Sequence, residues 1–473
     1  MIRASIDEAA VADAQIIQPG LGWVPLWRSR SYPVTDHLAW VAANTGATIE
    51  SIQNGLLQYV RLGGDIVGVF VEHCRAIGRH PIPSLRLNDT QVLINVDNPM
   101  LRQSWVSRFY VDNPEYRLGG NLHNINRLAL NWAIPAVRNE KFAFIAEIID
   151  GYDISGIEID FMRSSVFFRS DQTSSYERRS IMTAFVAEVR RYLDQKTGWN
   201  RTLTLCVRIP AIVDFHDEIG IDIASLAEAG VDVFTLSNSY FTSQRADVEA
   251  ARAAAPRAQL FLEMTHTSAQ APDPDIPGDL GLNRTTDLQF LTTAHEMIAR
   301  GGDGVALFNF AYYRKHAPED PTEGKEPPFH LLPTLAAPRT IPPGPRWWFV
   351  AKGWGRRLSS RNDWLPRWAT SEYPLEIDFY SHRPQQAGFL RVRSLKPLAP
   401  PKIHAKLNGF LLSSSDDYRA IFGEIDSQIG SSRYDSAFYS CPIEAVRYGN
   451  NTLSLWLTEG RVQIFSFDLI FVD

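Results

Sequence analysis

Between Ile16 and about Pro333, short β-rich runs alternate with longer helical patterns, and this alternation constrains the fold more than any other feature of the chain. The candidate strands are Ala14 to Gln18, Pro83 to Asp89, Ser155 to Phe161, Leu203 to Pro210, Val231 to Ser237, Gln259 to Thr265 and Gly304 to Phe310. Between them lie amphipathic helical patterns. Ile181, Phe185, Val189 and Leu193 recur at four-residue spacing within Ser175 to Leu193, and Asp65 to Ile77 carries Val69, Phe70 and Cys74 on one side. Asp65, after Gly63-Gly64, reads as the N-cap of that second helix. Such a succession predicts an α/β fold with a parallel sheet. Seven strands in this length predict a (β/α)8 TIM-like barrel whose first strand is either before Ser5 or hidden in an irregular segment. Because Ser5 to Asp13 reads as a helix, the ring is expected to borrow or lack a strand. A doubly wound open sheet is the alternative, although no Gly-x-Gly-x-x-Gly turn follows any strand to support a nucleotide-binding version.

From Leu335 the sequence turns Pro-rich (AAPRTIPPGPRWW), as a linker does. Short alternating runs follow at Leu375 to Tyr380, Gly388 to Arg393, Lys402 to Leu407, Asn451 to Leu457 and Val462 to Val472, with turn residues between them. This pattern predicts a small antiparallel β-sandwich, jelly-roll-like, over 345–473, after a barrel over 1–337. A chain of 473 residues is long enough for both.

Lys+Arg 47 against Asp+Glu 53 gives a formal charge of −6, and no basic run offers a footprint for nucleic acid. No apolar stretch approaches the roughly 18 residues that span a bilayer, so no membrane association is expected. Met1 to Ala14 lacks the apolar core of a signal peptide, and the expected location is the cytoplasm unless a longer native N-terminus directs export. The three cysteines (Cys74, Cys206, Cys441) are far apart and read as buried thiols. No His-x-His, His-Glu-x-x-His, Gly-x-Ser-x-Gly or Gly-x-x-x-x-Gly-Lys pattern occurs, so neither a metal nor an organic cofactor is expected. The composition does not fix the oligomeric state.

The segment most informative about chemistry is YDISGIEIDFMR, Tyr152 to Arg163. Alternate residues of a strand share a face, so Glu158 and Asp160 both point into the expected barrel, with Asp160 nearer its C-terminal mouth. Carboxylates are costly there unless paired or functional. Asp160 is the better catalytic candidate, and Glu158 could instead be the buried partner of an arginine on a neighbouring strand. Gly156 to Arg163 resembles the fourth-strand Gly-x-x-x-Asp-[Phe/Tyr]-x-Arg signature of barrel glycoside hydrolases and glycoside-hydrolase-like bacterial proteins. The preceding NWAIPAVRNEKFAFIAEIIDGYDISG is similar to their helix leading into that strand, and PSLRLND, Pro83 to Asp89, is similar to their third strand.

That resemblance covers about residues 14 to 320 and implies a barrel acting on a carbohydrate substrate. It also implies a second carboxylate by location. In the clan of retaining barrel glycosidases an acid/base at the end of strand four faces a nucleophile at the end of strand seven, where this chain has Glu263 in QLFLEMTHT. The clan's Asn-Glu pair on strand four is Ile159-Asp160 here, so the acid and nucleophile roles are left unassigned between Asp160 and Glu263, with Glu158 as a tuning neighbour. Hydrolysis of a glycosidic bond needs one carboxyl group to protonate the leaving oxygen and another to attack or to steer water. A separation of about 5.5 Å gives retention and roughly 6.5–9.5 Å inversion.

Arg86, Arg163 and Arg208 lie at or just past the C-terminal halves of candidate strands. They suit an anionic sugar such as a uronic acid, or else they neutralise Glu158, Asp160, Asp89 and Glu263. Asn88, Asp89, Asn238, Tyr240, His266 and Asn309 occupy similar strand ends and could bind sugar hydroxyls, His266 could orient a carboxylate or act as a base, and Trp23 could stack on a ring. His123 is a weaker candidate. Two other readings stay open: a non-catalytic glycan-binding protein, and a lyase or metal-assisted enzyme acting on an acidic sugar.

Overall fold

The computed structural model describes residues 2–120, 122, 124–196, 202–239, 241–269, 282–310, 327–341, 346–350, 365, 367–381, 386–394, 403–415 and 435–471. The strand-forming runs of the first two thirds become β1 (Ala14–Ile17), a hairpin of β2 (Gly20–Leu21) and β3 (Val24–Pro25), β4 (His80–Arg86), β5 (Gly156–Asp160), β6 (Thr204–Pro210), β7 (Val233–Ser237), β8 (Gln259–Met264), a short pair β9 (Thr267–Ala269) and β10 (Leu282–Arg284), and β11 (Gly304–Leu307). Seven of these form one sheet in the order β1-β4-β5-β6-β7-β8-β11. The β1–β4, β4–β5, β5–β6 and β8–β11 ladders are parallel. All seven expected strands are therefore present and follow one another round the sheet, as in a TIM-like α/β domain.

Two expectations need correction. The eight-stranded ring is not closed: the described sheet has seven strands, and no ladder joins β1 to β11 among the described residues. A helix, Ile2–Glu8, precedes β1. The strand expected at Pro83 to Asp89 begins at His80 and ends at Arg86. Pro81 and Pro83 lack the N–H that marks a strand, so local sequence hides its first half.

The chain divides into two units, residues 1–235 with 250–260, and residues 236–249 with 261–473, and the division runs through β7 and β8. In the first unit, β5 is buried along its whole length. Gly156 opens it because a Cβ there would meet the Thr204 carbonyl oxygen of β6 at 2.3 Å. Helix Ile66–Ala76 is capped as expected, with Asp65 accepting from the Gly68 amide. Helix Pro135–Gly151 starts with proline in its first turn and turns Val137, Phe144, Ile145 and Ile148 inward. All three cysteines are buried thiols, in line with the sequence.

The second unit holds the end of the parallel sheet, helix Asp287–Ala299 and a set of antiparallel strands: β12 (Arg346–Val350), β13 (Arg367–Thr370), β14 (Leu375–Ser381), β15 (Gly388–Ser394), β16 (Ile403–Leu407), β17 (Phe410–Leu411), β18 (Ser413–Ser414), β19 (Asp435–Cys441), β20 (Gly449–Leu457) and β21 (Arg461–Phe471). They make a six-stranded sheet, β12-β21-β15-β19-β18 with β13 also on β21, and a four-stranded sheet, β14-β20-β16-β17. One apolar cluster draws on both, including Leu390, Val392 and Phe467 from the first and Ile377, Ala405 and Leu455 from the second. No helix among the described residues is long and apolar enough to cross a membrane.

Candidate functional site

Strand register sets the geometry of the first cluster. Ser84, Glu158 and Cys206 lie side by side across β4, β5 and β6, and one pleat further on so do Arg86, Asp160 and Arg208. Parallel strands in register bring such rows together on one face. Asp160, the last residue of β5, is 3% exposed. Arg208 Nη1 donates to both of its oxygens at 3.0 and 3.1 Å, the Met162 amide donates to Oδ1 at 2.7 Å, and Arg86 Nε is 3.8 Å away. Glu158 accepts from Ser84 Oγ at 2.7 Å.

The loop after β4 completes this cluster. Asp89 accepts from Arg86 Nη1 at 2.8 Å, and Arg163 Nε lies 3.9 Å from its other oxygen. Arg86 and Arg208 thus hydrogen-bond aspartates of the chain itself, and Arg163 lies within 4 Å of one. Asn88 donates its amide to the Leu130 and Val166 carbonyls and accepts from the Leu130 amide. It ties neighbouring loops together with the groups that would otherwise bind a ligand.

Trp23 takes a place that its sequence context does not announce. Gly22 and Trp23 form the two-residue turn between β2 and β3, with φ of 54° and 65°. That is the type I′ geometry, usually filled by Asn and Gly, and a bulky residue is strained there. Trp23 is buried, stacks on Phe109 with ring centres 5.6 Å apart, and lies under the Lys141 ammonium, which is 4.0 Å from its ring centre. Trp23, Ser84, Arg86, Asp89, Phe144 and Lys141 are among the residues around a small pocket of about 30 Å³.

Sequence reasoning missed Lys141. It stands four residues after Val137, and four and seven before Ile145 and Ile148, on the apolar stripe of its helix. A lysine on such a stripe is the signal that could have found it. Burial pushes its ammonium down to about 7, against the opposing pull of Asp89 and Glu140.

The second unit holds Glu263 in β8. It is 2% exposed and accepts from Ser237 Oγ of β7 at 2.6 Å. His266 is buried, with Nε2 3.5 Å from Thr267 Oγ1. Asn238 donates to the Arg245 carbonyl, and Asn309 sits just after β11 at a φ of 51°. Tyr240 and His123 lie outside the described residues. Among the described residues no group of three or more His, Cys, Asp or Glu side chains could hold a metal ion.

No family model and no curated protein matches the chain. Solved structures with a similar course include an α-amylase from Geobacillus thermoleovorans, 10% identical over 96% of this chain and 90% of its own, with a TM-score of 0.39. A bacterial fucosidase is 12% identical over 97% and 81%, with a TM-score of 0.37. A glycoside hydrolase family 18 N-acetylglucosaminidase from Paenibacillus barengoltzii is 11% identical over 60% and 88%, with a TM-score of 0.35.

Proposed function

We propose that this chain is a glycoside hydrolase that cleaves a glycosidic bond in an oligo- or polysaccharide, with Asp160 and Glu263 supplying the two carboxyl groups. One observation carries the reading: each of these carboxylates is buried at the C-terminal end of a strand of the parallel sheet and held there by a donor from an adjacent strand, Arg208 for Asp160 and Ser237 for Glu263. Carboxylates kept in that position, where parallel α/β folds assemble their sites, are costly unless they are paired or functional. The Gly156-to-Arg163 motif supports the same reading. One group protonates the departing oxygen while the other attacks the anomeric carbon or steers water to it. Residues 1–337 form the catalytic barrel in this proposal, and residues 345–473 form a β-sandwich that packs on it or binds glycan.

The test is incubation with a panel of neutral and uronic-acid aryl glycosides and plant or algal polysaccharides, with wild type beside Asp160→Asn and Glu263→Gln. New reducing ends that vanish in either variant support the proposal. Full activity in both variants on a substrate that the wild type cleaves overturns it. A product absorbing in the ultraviolet marks a lyase. A second reading, a glycan-binding protein without turnover, is favoured by the occupied oxygens of Asp160, and it wins if the panel shows binding but no new reducing ends.

A further inference from the structure

We propose that Gln244 is a positioning residue for Glu263, its side-chain amide locking the loop after β7 to the outer edge of β12 and so making the antiparallel sheets part of the frame around that carboxylate. The inference deepens the glycosidase reading above and rests on it for the role of Glu263. Every group in the argument belongs to the second unit.

Among the described strands β12 pairs with β21 on one side only, so its other side presents backbone groups that need partners. Side chains supply them. Gln244 Nε2 donates to the Trp347 carbonyl at 2.8 Å, and its Oε1 accepts from the Phe349 amide at 2.9 Å. One side-chain amide thus meets the carbonyl before Trp348 and the amide after it, as a residue of a parallel neighbouring strand would. Thr292 of helix Asp287–Ala299 accepts from the Trp347 amide at 2.9 Å, and Glu296 of the same helix accepts from Trp348 Nε1 at 3.1 Å. The edge that the sequence marks as the start of a separate module is therefore sealed by residues of the α/β part.

The loop that carries Gln244 begins at the partner of Glu263. Ser237 Oγ donates to Glu263 Oε1 at 2.6 Å and accepts from the Ser239 amide at 2.9 Å, so the turn at Ser239 sets the direction in which that hydroxyl donates. Ser239 has a φ of 64°, a left-handed conformation that a non-glycine residue keeps only where its surroundings impose it. Ties within the second unit impose it here. Thr242 Oγ1 accepts from the Thr265 amide at 2.8 Å, the Thr242 amide donates to the Thr267 carbonyl at 2.8 Å, and Asn238 Nδ2 donates to the Arg245 carbonyl at 2.9 Å. Arg245 is the residue after Gln244, so the Asn238 tie closes the loop at the point that Gln244 fastens to β12. Arg300 also holds the Ala246 carbonyl, at 2.7 Å, and loss of Gln244 therefore loosens this stretch without releasing it. The consequence is a misaimed carboxylate in a folded chain.

The experiment compares wild type, Gln244→Met and Gln244→Glu as full chains by hydrogen exchange, by thermal unfolding and, on a substrate that the wild type cleaves, by steady-state kinetics. In Gln244→Met the peptide spanning 237–243 should exchange about tenfold faster or more, with the peptide holding β5 unchanged. kcat should fall about tenfold or more while KM stays within about threefold. A protonated carboxyl group donates and accepts as the amide does, whereas a carboxylate only accepts and would face the Trp347 carbonyl. Folding therefore raises the carboxyl pKa in Gln244→Glu, and the stability that the proton brings is present at low pH and lost as pH rises through the folded value. Gln244→Glu should match wild type in Tm and loop exchange at pH 5 and fall behind it at pH 8. Loop exchange that is unchanged in Gln244→Met, or raised equally across the whole chain, overturns the proposal, as does a wild-type kcat beside a loosened loop. A Gln244→Glu deficit that is the same at both pH values also overturns it, and that comparison decides alone if Gln244→Met does not fold. Exchange and Tm are read without substrate, so the lock can fail while Glu263 proves catalytic, and it can hold while the panel shows no hydrolysis.

Discussion

Arg208 and Asp160 meet across β6 and β5 with one guanidinium nitrogen within 3.1 Å of both carboxylate oxygens, and both side chains are almost wholly buried. Strand register places them together, because Arg208 is the Cα partner of Asp160 in the β5–β6 ladder. The pair ties the motif-bearing strand to its neighbour at the point where the proposed chemistry needs a fixed carboxylate.

Removing the cation should therefore cost both stability and activity. Arg208→Met leaves Asp160 buried without its main partner, a change that typically costs about 3–5 kcal/mol. Urea denaturation at pH 7 should show a loss of that size. Arg208→Lys should recover only part of it, since an ammonium cannot reproduce the planar guanidinium contact. A loss below about 1 kcal/mol for Arg208→Met would mean that Arg86, at 3.8 Å, already compensates Asp160.

Glu263 offers a cleaner separation of fold from chemistry. Glu263→Gln keeps an oxygen that can accept from Ser237 Oγ, so the urea midpoint should move little, while hydrolysis in the proposed reaction falls by about 10²–10⁴. Ser237→Ala should cost about 1.5–3 kcal/mol, the value of a hydrogen bond to a charged group, and should reduce rather than abolish turnover. Equal turnover in Glu263→Gln and wild type would remove Glu263 from the mechanism.

The seven parallel strands were legible because β-rich runs and four-residue apolar spacing are local signals, and Glu158 and Asp160 fell on one face by simple alternation. What the arginines do was not legible. Whether Arg86 meets a ligand or Asp89 depends on a loop turning back three residues later, which no period encodes. Trp23 was read as a residue that could stack on a sugar ring. Its turn instead buries it against Phe109 and Lys141, since the Gly22-Trp23 pair gives no standard turn signal. β12 and β13 were missed because Arg346–Val350 follows the Pro-rich stretch directly and Arg367–Thr370 is only four residues long.

The Gly22–Trp23 turn should be intolerant of a side chain. A Cβ on Gly22 would lie 2.2 Å from the Trp105 carbonyl oxygen, and its φ of 54° disfavours any L residue. Gly22→Ala should lower stability by about 1–3 kcal/mol, read as a drop in Tm. An unchanged Tm would show that the Trp105 segment yields freely.

In the antiparallel part of the chain, Asp468 on β21 accepts from Arg391 Nε at 2.9 Å, Arg393 Nη2 at 3.0 Å and Trp347 Nε1 at 3.0 Å, all buried. Burial alone would raise its pKa, but the charges of Arg391 and Arg393 outweigh that and hold it below the usual carboxylate range. A depressed folded pKa adds stability that is present above the unfolded value, about 3.9, and is lost as pH falls through the folded one. Asp468→Asn should cost about 3–5 kcal/mol at pH 7, and its deficit relative to wild type should shrink as the pH is taken below 4. A deficit that stays constant down to pH 2 would mean that the charge on Asp468 contributes nothing.

Lys141 should leave the opposite signature. Its folded pKa, near 7, is below the ordinary lysine value of 10.5, so between those values the unfolded chain binds more protons and stability rises with pH. The cost of keeping the ammonium buried is fully present below about pH 7 and is relieved as pH climbs towards 10.5. At about 1.4 kcal/mol per unit, it is on the order of 4–5 kcal/mol in full. Lys141→Met removes the titrating group and fills the same helix position with an apolar chain. Urea midpoints taken from pH 6 to pH 9.5 should therefore rise more steeply for wild type than for the variant, with the two curves converging at the alkaline end. Parallel curves for the two proteins would place the Lys141 ammonium in solvent rather than against Trp23.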